Sequence, residues 1–162
     1  MAVSLRESVE WVSNPKNLDE TVDEVFRLML GITCRHSNVV RAHADQESVT
    51  AVVGFGGPLS GACVFRAGAA TAMKMAGRMT NANHKTLDHT VKDAAGEICN
   101  MLAGVWKGKV PELAANCRLS IPAVITGRDY NLHVLAPEFE VRRHYSFDDG
   151  SFEVTIICDG LD

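Results

Sequence analysis

Hydrophobic and polar positions alternate in two ways along the chain, and each pattern predicts a different element. In three segments apolar side chains recur at steps of three and four, which indicates amphipathic helices. Short β-branched or alternating runs between them indicate strands. The predicted helices are Asn17 to Leu30, Ala69 to Met79 and Thr86 to Ala115. The predicted strands are Val49 to Phe55, Leu59 to Phe65, Leu119 to Thr126, Leu132 to Leu135, Glu138 to Tyr145 and Ser151 to Cys158.

Capping residues and helix breakers predict the helix boundaries. Asn17 is suited to cap the first helix, which carries acidic residues early, and Gly31 ends it. Thr86 is predicted to start the third helix. That helix is expected to bend where Gly104, Gly108 and Pro111 accumulate.

Two turn sequences join neighbouring strands into hairpins. Gly56-Gly57-Pro58 and Asp148-Asp149-Gly150 both have the composition of tight turns. The pattern therefore predicts an α+β fold with a mainly antiparallel sheet. No linker divides the chain, so residues 17–162 are predicted to form a single domain, preceded by an arm or short helix over residues 1–16.

Composition and charge exclude several classes of function. The 162 residues are 46% hydrophobic and 22% charged, with a net charge of −4, which is typical of one globular domain and argues against a nucleic-acid partner. Arg142-Arg143-His144, the densest basic stretch, is interpreted as a solvated strand face. No apolar run approaches the ~20 residues that cross a bilayer, and the first ten residues lack signal-peptide order, so a cytoplasmic protein without a membrane partner is expected.

The cysteines and histidines predict no metal site. Five cysteines are widely spaced with no C-x-x-C pair, which favours reduced, mostly buried thiols. His84 and His89 are five residues apart, a spacing that does not place two imidazoles on one face of a helix.

The third helix has two contrasting faces on a helical wheel. Its polar face is a stripe in which Glu97 and Asn100 are one turn apart. The apolar arc comprises Leu87, Val91, Ala94, Ala95, Ile98, Leu102, Val105 and Trp106. The opposite stripe, called the signature stripe below, comprises Asp93, Glu97, Asn100, Gly104 and Gly108.

The signature stripe has the chemistry of a positioning site. No His or Cys stands beside Glu97 and Asn100 as a nucleophile, whereas an Asn offers an acceptor for a water and a donor for a phosphoryl oxygen. Glu and Asn at this spacing are usually only solvated side chains. Each interior glycine costs ~1 kcal/mol relative to alanine, which indicates either close approach of a partner or a functional bend.

The segment Asp93-Ala-Ala-Gly-Glu97-Ile-Cys-Asn100, followed by Pro122 twenty-two residues later, resembles the signature of the CheC, CheX and FliY chemotaxis phosphatase family. A chance match to all four positions in a chain of this length has a probability on the order of one in several hundred. The segments Gly54 to Gly61 and Pro122 to Asp129 are also similar to CheX.

The resemblance implies a CheC-like fold with two further helices packed beside the signature helix. It implies a phosphatase that hydrolyses the aspartyl phosphate of a CheY-like receiver. By position, Asn100 would orient the attacking water and Glu97 would contact the receiver's active-site Lys. Asp93, Gly104 and Gly108 would support the face or the interface, and Pro122 would shape the start of a strand. The Mg²⁺ would be supplied by the phosphorylated partner, with no cofactor bound by this chain.

The first helix lacks a second Glu-x-x-Asn element, since Glu20 is followed by Asp23 and Glu24 by Arg27. This implies one active face, as in the CheX branch, whose members typically form homodimers through their sheets. Phe152 to Ile157 is a candidate edge strand for such a dimer. Two other functions remain open, a receiver-binding adaptor without catalysis and a structural module of the flagellar switch.

Overall fold

One antiparallel sheet organises the computed structural model, which describes residues 10–37, 47–133 and 138–161. In this part of the chain the sheet has seven strands in the order β1-β6-β7-β3-β2-β4, with β5 also paired to β2. The strands are β1 (Arg35–His36), β2 (Ser48–Gly56), β3 (Leu59–Gly68), β4 (Arg118–Leu119), β5 (Ala123–Gly127), β6 (Phe139–Phe147) and β7 (Gly150–Leu161).

The predicted hairpins are confirmed. β2 pairs with β3 and β6 with β7, both antiparallel. Gly57 lies in the first turn with φ +115°, a backbone conformation that only glycine adopts easily. The predicted strand Leu119 to Thr126 is instead divided into β4 and β5. Residues 132 and 133 form no strand, and the rest of that predicted strand lies outside the described residues.

The position of β7 corrects one prediction. β7 pairs with β3 on one side and β6 on the other, over most of its length. Its backbone groups are therefore engaged on both sides, and Phe152 to Ile157 is not an edge. The described edges of the sheet are β1 on one side and the β4–β5 pair on the other.

The helices pack over the sheet and share one core with it. The longest, α3, contacts β2 and β3, while α1 contacts β6 and α2 contacts both α3 and β3. The α+β architecture predicted from the sequence, with a long helix and two further helices on an antiparallel sheet, is confirmed. The helices are α1 (Pro15–Asp23), α2 (Ala69–Thr80), α3 (His89–Gly108) and α4 (Pro111–Asn116).

The start and end of the first helix differ from the prediction. Asn14, not Asn17, is the N-cap, and its side chain accepts a hydrogen bond from the backbone N–H of Lys16. Asn17 is buried and donates from Nδ2 to the backbone oxygen of Trp11 at 2.6 Å. Beyond α1 the chain continues as a π-helical segment, Glu24–Met29. Sequence periodicity does not distinguish this wider turn from an α-helix.

The third predicted helix is shorter at both ends. Asp88 caps α3 by accepting a hydrogen bond from the backbone N–H of Val91 at 2.9 Å, so the helix begins after Thr86. It runs through Gly104 without interruption and ends at Gly108. Pro111 then starts the separate helix α4, because proline fits the first turn of a helix and not its interior.

Aromatic side chains fill the core beneath the helices. The ring of Phe26 stacks on Phe152 with centroids 4.9 Å apart, and Phe55 lies 5.3 Å from Trp106. Trp106 is almost completely buried. Burial of each such side chain contributes about 1.5–3 kcal/mol, so these contacts hold the π-helical segment and α3 onto the sheet.

An ion pair with a shared tyrosine joins α1 to β6. Arg143 contacts both carboxylate oxygens of Asp19, at 3.0 and 2.7 Å, and the Tyr145 hydroxyl donates to Asp19 at 2.7 Å. His144 and Arg142, the neighbours of Arg143, both lie within 4 Å of Glu153. The basic stretch is therefore matched by acidic side chains, and Arg143 is partly buried rather than fully solvated.

Candidate functional site

The signature stripe lies on the outward face of α3. Asp93, Glu97 and Gly108 are exposed, and Asn100 and Gly104 are partly exposed. Glu97 and Asn100 are thus available together, one helical turn apart. The opposite arc is buried as predicted for Val91, Ala94, Ala95, Ile98, Leu102 and Trp106, while Leu87 and Val105 are partly buried against the core.

Cys99 fixes the orientation of α3 about its own axis, relative to the sheet. Its thiol lies 3.4 Å from the backbone oxygen of Ala51 in β2 and 3.3 Å from that of Cys63 in β3. The side chain is fully buried, directly before Asn100 in sequence. Because residues 99 and 100 differ by about 100° around a helix, fixing Cys99 inward keeps Asn100 outward. Nothing in the sequence indicates this contact beyond the tendency of cysteine to be buried.

The thiols are unsuited to nucleophilic chemistry. The hydrogen bond from Cys99, together with burial, holds the pKa of Cys63 well above its usual value. Burial also raises the pKa of Cys158 to about 12. All five cysteines are free, and four of them are buried. A thiol acts as a nucleophile only as the thiolate, so Cys63 and Cys158 are unsuited to that role.

The start of α3 is fixed by a local network. The hydrogen bond from the Val91 N–H lowers the pKa of Asp88, and His84 contributes in the same direction. Nε2 of His84 lies 2.8 Å from the hydroxyl of Thr80 at the end of α2. The ionised cap therefore sits at the positive end of the helix dipole and links α2 to α3.

Gly96 faces the segment between β4 and β5 that carries Pro122. A Cβ atom on Gly96 would stand 3.4 Å from Cβ of Pro122 and 3.5 Å from Cγ2 of Val124. Gly96 itself is buried, although sequence analysis did not single it out. The helix thus contacts the sheet edge at the residue immediately before Glu97.

A bulge interrupts the edge strand at this contact. Phe55 in β2 is paired with Leu119 in β4, and Val52 in β2 is paired with Ala123 in β5. An advance of three residues along β2 therefore corresponds to an advance of four residues along the edge strand. The extra residue lies in the segment Ser120 to Pro122. β-Bulges re-aim side chains and are common beside active sites. Sequence analysis treated this segment as continuous strand and missed it.

The glycine end of the signature stripe is open. A Cβ atom on Gly104 or on Gly108 would meet nothing within 4 Å. Next to Gly108, the Lys109 ammonium pairs with the Glu24 carboxylate at 2.8 Å. α3 continues through Gly104 without interruption, and the open space around Gly104 and Gly108 leaves room for a partner.

Over residues 10–37, 47–133 and 138–161, no cluster of three or more His, Cys, Asp or Glu side chains is arranged to hold a metal ion. His84 is engaged by Thr80 and Asp88. In the same part of the chain, no helix has the length and apolar character to cross a membrane.

Solved structures with the same architecture are CheC-like proteins. A CheC-like superfamily protein from Shewanella sp. PV-4 matches with a TM-score of 0.76 and 17% identity, over 90% of this chain and 96% of that one. A chain in the crystal structure of the CheX–CheY–BeF3–Mg²⁺ complex from Borrelia burgdorferi matches with a TM-score of 0.67 and 19% identity, over 88% and 96% of the two chains. The fold is therefore CheC-like.

Sequence comparison is more specific. The family model described as chemotaxis phosphatase CheX matches residues 49–141. The CheY-P phosphatase CheX of Thermotoga maritima is 30% identical over 116 residues, covering 69% of this chain and 74% of the relative. The chain belongs to the chemotaxis phosphatase CheX family, which confirms the resemblance inferred from the signature.

Proposed function

We propose that this protein hydrolyses the aspartyl phosphate of a CheY-like receiver domain, using Glu97 and Asn100. The observation that carries the proposal is the exposure of both side chains, one turn apart, on the signature helix of a CheX family member. The relative from Thermotoga maritima is named a CheY-P phosphatase. The protein would act as a hydrolase in chemotaxis signalling.

Asn100 is the group that acts on water. Its carboxamide offers an oxygen that accepts from the attacking water and an N–H that donates to a phosphoryl oxygen. Holding the water in line with phosphorus converts a bimolecular encounter into an oriented one, which is the main source of rate in phosphoryl transfer. The carboxamide does not need to gain or lose a proton for this.

Glu97 is the group that fixes the register. As a carboxylate on the neighbouring turn, it pairs with a lysine in the receiver's phosphorylation site. Asp93, one turn earlier on the signature stripe, supports the face. Gly104 and Gly108 leave room for the receiver backbone beyond Asn100, consistent with the open space around both positions.

The metal in this scheme belongs to the partner. The receiver's own acidic residues hold Mg²⁺ against the phosphoryl group, and this chain brings only a carboxylate and a carboxamide. The similar structure from Borrelia burgdorferi is a complex with CheY, BeF3 and Mg²⁺. A cytoplasmic location follows from such a partner.

The oligomeric state is a second part of the proposal. We infer a homodimer formed through the sheet, as expected for the CheX branch. The edge strand β1, at the opposite side of the sheet from the β4–β5 pair, supports this, because among the described strands it is paired with β6 alone. Sedimentation equilibrium of the full chain tests it, and a monomer at micromolar concentration would contradict it.

The decisive experiment measures phosphate release from a phosphorylated CheY-like receiver. Wild type should accelerate release, and Asn100→Ala should lose about 10²-fold or more in kcat with a much smaller change in receiver affinity. Asn131→Ala removes an exposed carboxamide outside α3 and serves as the matched control. A wild-type protein that binds the receiver without accelerating release would instead be an adaptor.

A further inference from the structure

Ile121 is the most exposed of the large hydrophobic side chains in the described part of the chain. It is 89% exposed, compared with 64% for Leu28 and 45% for Ile125. A single exposed apolar residue on a surface is ordinary. What distinguishes Ile121 is the rigidity of the segment that carries it and the place where that segment lies.

The residue before Ile121 is pinned to the sheet by its backbone and its side chain. The Ser120 N–H donates to the backbone oxygen of Gly54 at 2.9 Å, and the Ser120 hydroxyl accepts from the Gly54 N–H at 2.8 Å. The same hydroxyl lies 3.1 Å from the backbone oxygen of Ile121. These bonds fix the backbone on the N-terminal side of Ile121.

The residue after Ile121 is pinned to α3. Pro122 has a restricted φ and faces α3 at Gly96, and α3 contacts both β4 and β5 on either side of this proline. Together with Ser120, it holds the bulge from both sides. Ile121 is therefore presented by a preorganised backbone, and binding through it requires little ordering of the chain.

The position of the bulge places Ile121 beside the signature stripe. Pro122 faces Gly96, where an added Cβ would stand 3.4 Å from the proline, and Gly96 is followed directly by Glu97. Ile121 is thus one residue from a proline that faces the residue preceding Glu97. A domain that covers Glu97 and Asn100 closely enough to bring its phosphoryl group to Asn100 would reach this edge of the sheet as well.

We propose that Ile121 is an apolar anchor that inserts into a hydrophobic depression of the receiver beside its phosphorylation site. The inference rests on the proposed function and extends that function by naming a residue that sets the affinity for the receiver. Ile121 carries no polar group and takes no part in the chemistry. It acts by removing apolar surface from water when the receiver docks, as buried anchors at the centre of interfaces do.

The test separates affinity from chemistry. For Ile121→Ala, KM for the phosphorylated receiver should rise about tenfold, while kcat at saturating receiver stays within about twofold of wild type. Ile121→Asp should raise KM further. Ile125→Ala, the same change on the same edge, should leave both constants within about twofold. Because Ile121 is almost fully exposed, the thermal unfolding midpoint of each Ile121 variant should match wild type.

A second measurement keeps the inference independent of catalysis. Binding of a receiver activated with beryllofluoride and Mg²⁺ is measured by titration calorimetry for wild type, Ile121→Ala and Ile125→Ala. Weakened binding only for Ile121→Ala supports the anchor, even if wild type proves not to be a phosphatase. Unchanged KM and unchanged binding would overturn it. So would a shift from dimer to monomer in Ile121→Asp with receiver affinity intact, because Ile121 would then contact a second copy of the chain.

Discussion

The Cβ atom of Pro122 lies 3.4 Å from the point where a Cβ on Gly96 would stand, so the proline faces α3 directly before Glu97. This contact gives a physical reason for a signature that joins positions twenty-two residues apart. The proline does not contact substrate in the proposed scheme. Together with Gly96, it sets the distance between α3 and the edge of the sheet.

The effect of a substitution at Gly96 on the stability of the fold should therefore depend steeply on the size of the new side chain. Gly96→Ala places its methyl group at ordinary van der Waals distance from Pro122 and should change stability by less than about 1 kcal/mol. Gly96→Leu must displace Pro122 or the helix and should destabilise by about 1–3 kcal/mol. Urea unfolding of both variants measures this. Equal stability of the two would show that the contact is loose.

Substitutions at Gly104 should separate folding from docking. The position is helical and its surroundings are open, so Gly104→Ala should stabilise the fold by about 0.5–1 kcal/mol. Gly104→Trp adds bulk one turn beyond Asn100 and should slow dephosphorylation of the receiver about tenfold or more through misplacement.

Thermal unfolding and phosphate release of the two Gly104 variants provide the measurements. The alanine variant is the matched control, since it removes the glycine without adding bulk. A tryptophan variant as active as wild type would show that the receiver does not cover this end of the signature stripe.

The Asp19–Arg143 pair should make the free energy of unfolding depend on pH in the acid range. Burial alone would raise the pKa of Asp19, but the hydrogen bonds from Arg143 and Tyr145 outweigh it and hold the pKa below its usual value. The pair therefore stabilises the fold above the unfolded-state value of about 3.9, and this contribution is lost as pH falls through the lower folded-state pKa. Asp19→Asn should cost about 1–3 kcal/mol at pH 7, because the partners of Asp19 lose a charged acceptor.

Urea unfolding at pH 7 and at several values below pH 4 checks this expectation. The difference between wild type and Asp19→Asn should shrink as the pH is lowered. Asp23→Asn is the control, since its partner Arg27 is exposed and the pair is expected to matter little. A difference that stays constant down to pH 2 would mean that the network is not the source of the effect.

The local parts of the structure were predictable because short-range chemistry determines them. Hairpin turns, the start of α2 and the buried arc of α3 follow from turn residues and from the 3.6-residue period. The exposure of Glu97 and Asn100 follows from the same helical period. For these elements tertiary packing agrees with local preference, so a single sequence carries enough information.

The structural features that the sequence pattern did not predict depend on pairing between residues that are distant in the chain. Nothing near Ser151 indicates whether β7 is an edge or a central strand, because that is decided by where β3 and β6 lie. The bulge at Ser120 arises from pairing with Gly54, sixty-six residues away. The π-helical turn after Asp23 and the anchoring of Cys99 on β2 and β3 likewise depend on neighbours distant in sequence.

The central place of β7 has a consequence for how the protein is made. β7 lies between β6 and β3 in the described sheet, and residues 150–161 are synthesised after both of these strands. Until they emerge, the hairpin of β2 and β3 has one unsatisfied edge and the core aromatic Phe152 is missing. The sheet therefore closes only after synthesis of this strand, and truncation before residue 150 should yield an aggregating fragment rather than a smaller folded domain.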